Sequence, residues 1–222
     1  MIERLYVYRF ELFLATQLLV LFGSLIIPEV WFENIIMPIV LVLNMMCGVL
    51  LVSKKKTLFY MMLVILSISI VIASIGIIAS NIETQFNYIK FGTYFSFYGL
   101  VTIEIIKQVW SAKVVGKNVI LGLISGYISL GLLAFFLCLS IEIIYPNSFS
   151  GIEIRSGGSL VMWQQIMYYS YITLMTIGFG DILPLTPIAQ KTSIFIGLIG
   201  QFYLVILTAI VVGKYINQES NK

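Results

Sequence analysis

Residues 173–181 read Thr-Leu-Met-Thr-Ile-Gly-Phe-Gly-Asp, and the reading of this stretch decides the fold. It lies between two long apolar runs, 119–144 and 188–212, each long enough to cross a bilayer. Short non-helical backbone at membrane depth is tolerated only where protein covers it or where it lines a water-filled path. Gly178 and Gly180 stand at alternate positions. A missing side chain removes the penalty for positive φ, so the backbone here can alternate between ordinary and left-handed conformations. Such alternation turns the carbonyls of one strand toward a common side.

The composition sets the class. The chain has 222 residues, 60% hydrophobic and 10% charged, with a mean hydropathy of +1.03. Ordinary globular proteins hold about 45–50% apolar and about 25% charged residues. These values describe an integral membrane protein. A formal net charge of +3 is too small to argue for a nucleic-acid partner, and the placement of the charges matters more than their sum. With no histidine, a histidine metal site or proton switch is excluded. Cys47 and Cys138 both fall inside apolar runs and read as small buried hydrophobes rather than a disulfide. No intramembrane pair of carboxylates and no nucleophile–base set is visible, so an enzyme is not expected.

Six spans follow in order: 10–27, 35–52, 58–79, 89–109, 119–144 and 188–213. The first begins near Phe10 without a small-residue cleavage pattern and reads as a signal anchor. Lys and Arg in short loops stay cytoplasmic. With both termini inside, Arg4, Arg9, Lys54, Lys55, Lys56, Lys107, Lys113, Lys117, Lys214 and Lys222 fall on the cytoplasmic side. Only Lys90, Arg155 and Lys191 fall outside, beside the acids Glu29, Glu33, Glu83, Glu142, Glu153 and Asp181.

In this two-span setting the stretch resembles the selectivity filter of the potassium channel family, Thr-(Val/Ile)-Gly-(Tyr/Phe)-Gly-Asp preceded by a pore helix. The resemblance implies an all-α membrane protein of voltage-gated-like ion channel architecture, with six transmembrane helices, a re-entrant pore helix and a selectivity filter. A potassium ion must shed water, and rings of backbone carbonyls from four converging strands replace it. By resemblance the filter is Thr176, Ile177, Gly178, Phe179 and Gly180, with K+ held at Thr176, Ile177, Gly178 and Phe179 and Asp181 at the outer mouth. Tyr168, Tyr169 and Thr173 support the filter, one of the tyrosines through a hydrogen bond to Asp181, and Met175 faces the cavity. K+ is the permeant ion, and no cofactor is expected. One filter strand per chain requires four chains, hence a homotetramer in a lipid bilayer, a bacterial inner or plasma membrane being the expected one. The six-span orientation puts the Asp181 end outward, as the family requires. Two positions depart from the commonest pattern: Phe179 stands where Tyr is usual, removing a bracing hydroxyl, and Met175 stands where Thr is frequent.

The domain organisation expected is a four-helix membrane domain over 1–111, a cytoplasmic linker over 112–118, a pore domain over 119–213 and a short tail over 214–222. Within the pore domain lie an outer helix (119–144), a turret-like loop (145–158), a pore helix (160–175) capped by Ser159, the filter (176–181) and an inner helix (188–213). Gly200, with Gly197 nearby, stands where the family's gating hinge lies; glycine serves bending and close helix packing equally. A voltage sensor needs several basic residues at every third position of the fourth span. That span offers Lys90, Glu104 and Lys107, the last two spaced to pair with each other, so steep voltage dependence is not expected. The tail leaves no room for a ligand-binding domain, and a gating ligand would act on the membrane part or through a separate regulatory subunit. Beside a potassium-selective channel stand two alternatives, a non-selective monovalent cation channel and a potassium transporter subunit. The absence of a fourfold internal repeat argues against the transporter.

Overall fold

The computed structural model describes residues 2–28, 31–32, 36–78, 83–152 and 159–220. Glu29, Glu33, Glu153, Arg155, Gly157, Gly158 and Lys222 lie outside them. In chain order run α1 (Ile2–Val7), α2 (Arg9–Phe22) with a 3-10 turn (Gly23–Leu25), α3 (Met37–Leu51), α4 (Lys56–Ile78) and α5 (Glu83–Ser111). Then come α6 (Lys117–Ile144), β1 (Phe149–Ser150), α7 (Ser159–Leu174), β2 (Leu183–Pro184), α8 (Pro187–Phe202), a π turn (Tyr203–Leu207) and α9 (Thr208–Ser220). The two strands pair antiparallel, Phe149 opposite Pro184 and Ser150 opposite Leu183. The chain divides into two compact units, Met1–Gly126 and Tyr127–Lys222, with the division inside α6.

In the first unit α2 packs on α3, α3 on α4 and α5, and α4 on α5. Its core is aromatic and aliphatic: Phe13, Met45, Phe97, Tyr98, Val101 and Ile105 are fully buried. One polar network is sealed within it. The buried Asn44 donates from Nδ2 to Thr16 Oγ1 (2.7 Å) and to the Phe13 carbonyl (3.3 Å), and accepts from the Tyr98 hydroxyl (2.8 Å). A buried amide is tolerated because its donors and acceptor are met.

Two expectations are corrected here. Glu104 does not pair with Lys107. Its carboxylate takes Lys55 Nζ at 2.7 Å and the Gln108 side-chain amide at 3.3 Å, while that amide also donates to the Leu51 carbonyl. The reason is helical phase: Val101, Glu104, Ile105 and Gln108 share the inward face of α5, whereas Lys107 is exposed. Lys55, half exposed, reaches in along its apolar stem from the turn between α3 and α4. The second correction concerns length. α2 and α3 have 14 and 15 residues, about 21–23 Å of helix against a hydrocarbon core of about 30 Å. The first stops where Gly23 opens the 3-10 turn ahead of Pro28, and the second starts with Pro38 in its first turn.

Two helical stretches among the described residues are long and apolar enough to cross a membrane: Lys117–Ile144 and Pro187–Ser220. The second joins α8, the π turn and α9, so the helix runs on through Lys214 to Ser220 instead of ending at 213. In the second unit α6 contributes the buried Leu132, Phe135, Phe136, Cys138 and Leu139, and the Phe135 ring lies 6.0 Å from that of Trp163 of α7, tilted by 59°. α7 packs against α8. Cys47 and Cys138 are both free thiols.

Candidate functional site

The site grows from the C-terminal end of α7. A helix leaves its last carbonyls without intrahelical partners, and here the next residues fold back to use them. The N–H of Met175 donates to the Tyr171 carbonyl (2.9 Å), that of Thr176 to Thr173 (3.0 Å) and that of Ile177 to Ile172 (2.9 Å). The chain then leaves the helix with a backbone of period two. Thr176, Gly178 and Gly180 have φ of +58°, +57° and +82°, whereas Ile177 and Phe179 do not have positive φ. Alternating handedness turns successive peptide units the same way, so carbonyl dipoles gather on one side of the strand.

Conformation, not crowding, selects glycine at 178 and 180. Among the described residues no atom lies within 4 Å of where a β-carbon would sit at either position. The glycine spacing indicated two of the three left-handed positions and missed the third. Thr176 carries a β-branched side chain in a region that costs an L-residue about 1–2 kcal/mol. The available signal was the spacing itself, since a period-two backbone with glycines at 178 and 180 extends back to 176.

The side chains just before and between the left-handed residues point out of this chain's core. Phe179 is 71% exposed, Ile177 49% and Met175 40%. Asp181 is exposed too, and it accepts a hydrogen bond from the Tyr168 hydroxyl. That bond, with the charge behind it, holds Tyr168 above the ordinary phenol range, because the carboxylate stabilises the proton. Tyr169, one residue on, faces the other way. It is buried, its hydroxyl is hydrogen-bonded to Ser193 of α8, and its ring meets Phe149 of β1 edge-on at 5.0 Å. The two tyrosines therefore brace different things, one the exit of the turn and the other the α7–α8 contact.

The exit is held by a clamp that sequence reasoning missed. Glu142, near the end of α6, accepts backbone N–H bonds from Asn147 (2.8 Å), Ser148 (2.9 Å) and Phe149 (3.1 Å). A carboxylate on backbone donors makes charge-assisted bonds, among the stronger kinds in proteins. The loop so anchored leads into β1, which pairs with β2 just after the turn. Ser148 accepts at its carbonyl from the Leu185 N–H (2.7 Å) and at its hydroxyl from Oγ1 of Thr186 (3.0 Å), the residue that caps α8. Gly151, at φ +84°, comes so close to the Asp181 carbonyl that a β-carbon would lie 2.1 Å from that oxygen. Only the spacing of Glu142 from the Pro146-Asn147 turn hinted at this in the sequence.

On the other side of α7, Gly197 and Gly200 of α8 face its last turn. A β-carbon at Gly197 would sit 3.8 Å from the Thr173 carbonyl oxygen, an ordinary contact; one at Gly200 would sit 2.0 Å from that of Leu174, which is impossible without a backbone shift. Gly200 is thus a packing glycine in this arrangement, and the departure from α geometry comes three residues later, in the π turn.

These parts define a membrane protein in which two membrane-length helices flank a shorter helix and a carbonyl-rich turn. Residues 132–217 match the family model described as ion channel, a segment that takes in most of α6, all of α7, the turn, α8 and most of α9. Over this segment, a little over a third of its length, the chain is similar to that ion channel family. No curated protein and no solved structure matches the chain.

Proposed function

We propose that the chain forms a homotetrameric channel conducting K+ passively across the membrane. The observation that carries this reading is the period-two left-handed backbone at Thr176, Gly178 and Gly180, between two membrane-length helices. Rings of backbone carbonyls can replace an ion's hydration shell. In this reading the carbonyls of Thr176, Ile177, Gly178 and Phe179 hold K+, Gly180 lets the chain turn out of the filter, and Asp181 stands at the outer mouth. α7 is the pore helix, whose C-terminal carbonyls stabilise a cation below the filter. Gly197 and Gly200 lie on the inner helix, and Met175 faces the cavity.

The tetramer is supported by what a single chain leaves uncovered. Ile177 and Phe179 are large apolar side chains exposed beside an otherwise polar turn, and burial against neighbouring copies would remove them from water. A fourfold ring also gives each carbonyl level its full complement of oxygens. α2 to α5 make up a membrane domain without an arginine ladder, in which α2 and α3 complete their crossings only with the residues that flank them, giving six spans with both termini cytoplasmic and little steep voltage dependence.

One observation favours a second reading, a non-selective monovalent cation channel: Phe179 has no hydroxyl with which to brace the filter from behind. Ion flux separates the two. Liposomes holding the purified protein are given a potassium gradient and then a sodium gradient, and potassium flux without sodium flux is expected. Equal fluxes would establish the non-selective channel, and a chain that does not assemble as a tetramer would remove the channel reading.

A further inference from the structure

Tyr127 lies on α6 and touches two parts of the second unit that are far apart in sequence. Its hydroxyl donates to the Leu174 carbonyl at 3.4 Å. Its ring lies 5.6 Å from that of Tyr203, tilted by 42°. Leu174 is the last residue of α7, and Tyr203 is the buried first residue of the π turn.

Both contacts fall on irregular backbone. Among the last carbonyls of α7, those of Tyr171, Ile172 and Thr173 take N–H groups from residues 175–178, whereas Leu174 takes the Tyr127 hydroxyl. A π turn holds one residue more than the α-helix would, and such turns concentrate where helices act. Returning it to α geometry would rotate the helix beyond it by about 100°, the angle of one residue. Gly200 cannot share in that motion freely, since its backbone lies against the Leu174 carbonyl. The rearrangement is therefore confined to the residues after Gly200, and Tyr203 is the first of them to carry a large buried side chain.

We propose that Tyr127 is a positioning residue that couples the base of the filter to the π turn of the inner helix. When Tyr203 moves with the π turn, the Tyr127 ring moves with it and its hydroxyl leaves Leu174, two residues before Thr176. The inference rests on the channel reading for its consequence, gating of the filter, but not for its structural content.

The test uses the full chain in liposomes, with Tyr127→Phe, Tyr127→Leu, Tyr203→Leu and the Tyr127→Leu/Tyr203→Leu double variant. Amide exchange at 175–178 and at 203–207 gives a readout that needs no conduction. Tyr127→Phe keeps the ring contact and drops the hydroxyl, so exchange at 175–178 quickens about fivefold, the effect of one ordinary hydrogen bond, and 203–207 is unchanged. Tyr203→Leu, which alters the first residue of the π turn, quickens exchange at 175–178 when Tyr127 is present and adds nothing when it is Leu. The reversal potential under mixed potassium and sodium follows the same non-additive pattern. Strict additivity, or a uniform quickening of all amides in every variant, overturns the coupling. If the wild type carries no ions, the channel reading falls, and the exchange pattern still decides the coupling.

Discussion

At the scale of single residues, the turn after α7 depends on who occupies its left-handed positions. Thr176 already bears about 1–2 kcal/mol of conformational cost there, and Gly178 and Gly180 bear none. Gly178→Ala adds a similar cost per chain and pushes the alternation out of register. The expected outcome is loss of potassium selectivity or of conduction, with membrane insertion and assembly intact. Flux from liposomes, alongside size-exclusion chromatography, checks it; unchanged selective flux would sink the filter assignment. Tyr168→Phe acts on the outer end, removing the hydroxyl that donates to Asp181 and leaving the ring in place. Weaker retention of the open filter is expected, read as faster decay of potassium flux at unchanged protein stability.

At the scale of elements, the clamp at the exit and the packing glycine at α8 set how firmly the turn is held. Glu142→Gln keeps the shape and loses the charge that three backbone N–H groups share, a loss of about 1–2 kcal/mol from the difference between charged and neutral bonds. A lower melting temperature of the purified assembly is expected, together with a less selective filter, because β1 and β2 register the residues that follow Asp181. Gly200→Ala drives a β-carbon into the Leu174 carbonyl, an overpacking that costs about 1–3 kcal/mol. If Gly200 packs rather than bends, the variant loses stability and selectivity together; wild-type stability with altered opening would return it to the role of a hinge. Much of this level was legible from composition. Apolar runs gave α6 and α8, Ser159 and Leu174 lie within a residue of the expected bounds of α7, and glycine spacing gave two left-handed residues. What was not legible depends on contacts between distant residues. Glu104 finds Lys55 because both sit at one end of a packed bundle, while local spacing offered Lys107. The π turn has no sequence mark at all, since Tyr-Leu-Val-Ile-Leu suits an α-helix equally well.

At the scale of the whole molecule, the placement of charge decides how the proposed channel answers to membrane potential. One elementary charge crossing the field contributes about 2.3 kcal/mol per 100 mV, so a steep response needs several mobile charges in each chain. α5 offers Lys90, Glu104 and Lys107 in place of a ladder. Of these, Glu104 is buried and bound on both oxygens, to Lys55 and Gln108, and a carboxylate so held leaves its partners only at the cost of an uncompensated buried charge. The nearby network of Asn44, Thr16 and Tyr98 is neutral. Among the described residues, the charged group buried in this core is held in a pair. The conductance–voltage relation in planar bilayers is therefore expected to be shallow, changing e-fold over a span no narrower than about 25 mV, the thermal voltage for a single charge at the scale of RT. Lys55→Gln should lower stability by up to about 3 kcal/mol by orphaning Glu104 and leave that slope unchanged, because it removes a structural pair rather than a sensor. A steep sigmoid in the wild type, or a slope that collapses in Lys55→Gln, would show that the pair moves in the field and that α2 to α5 sense voltage by a route other than an arginine ladder.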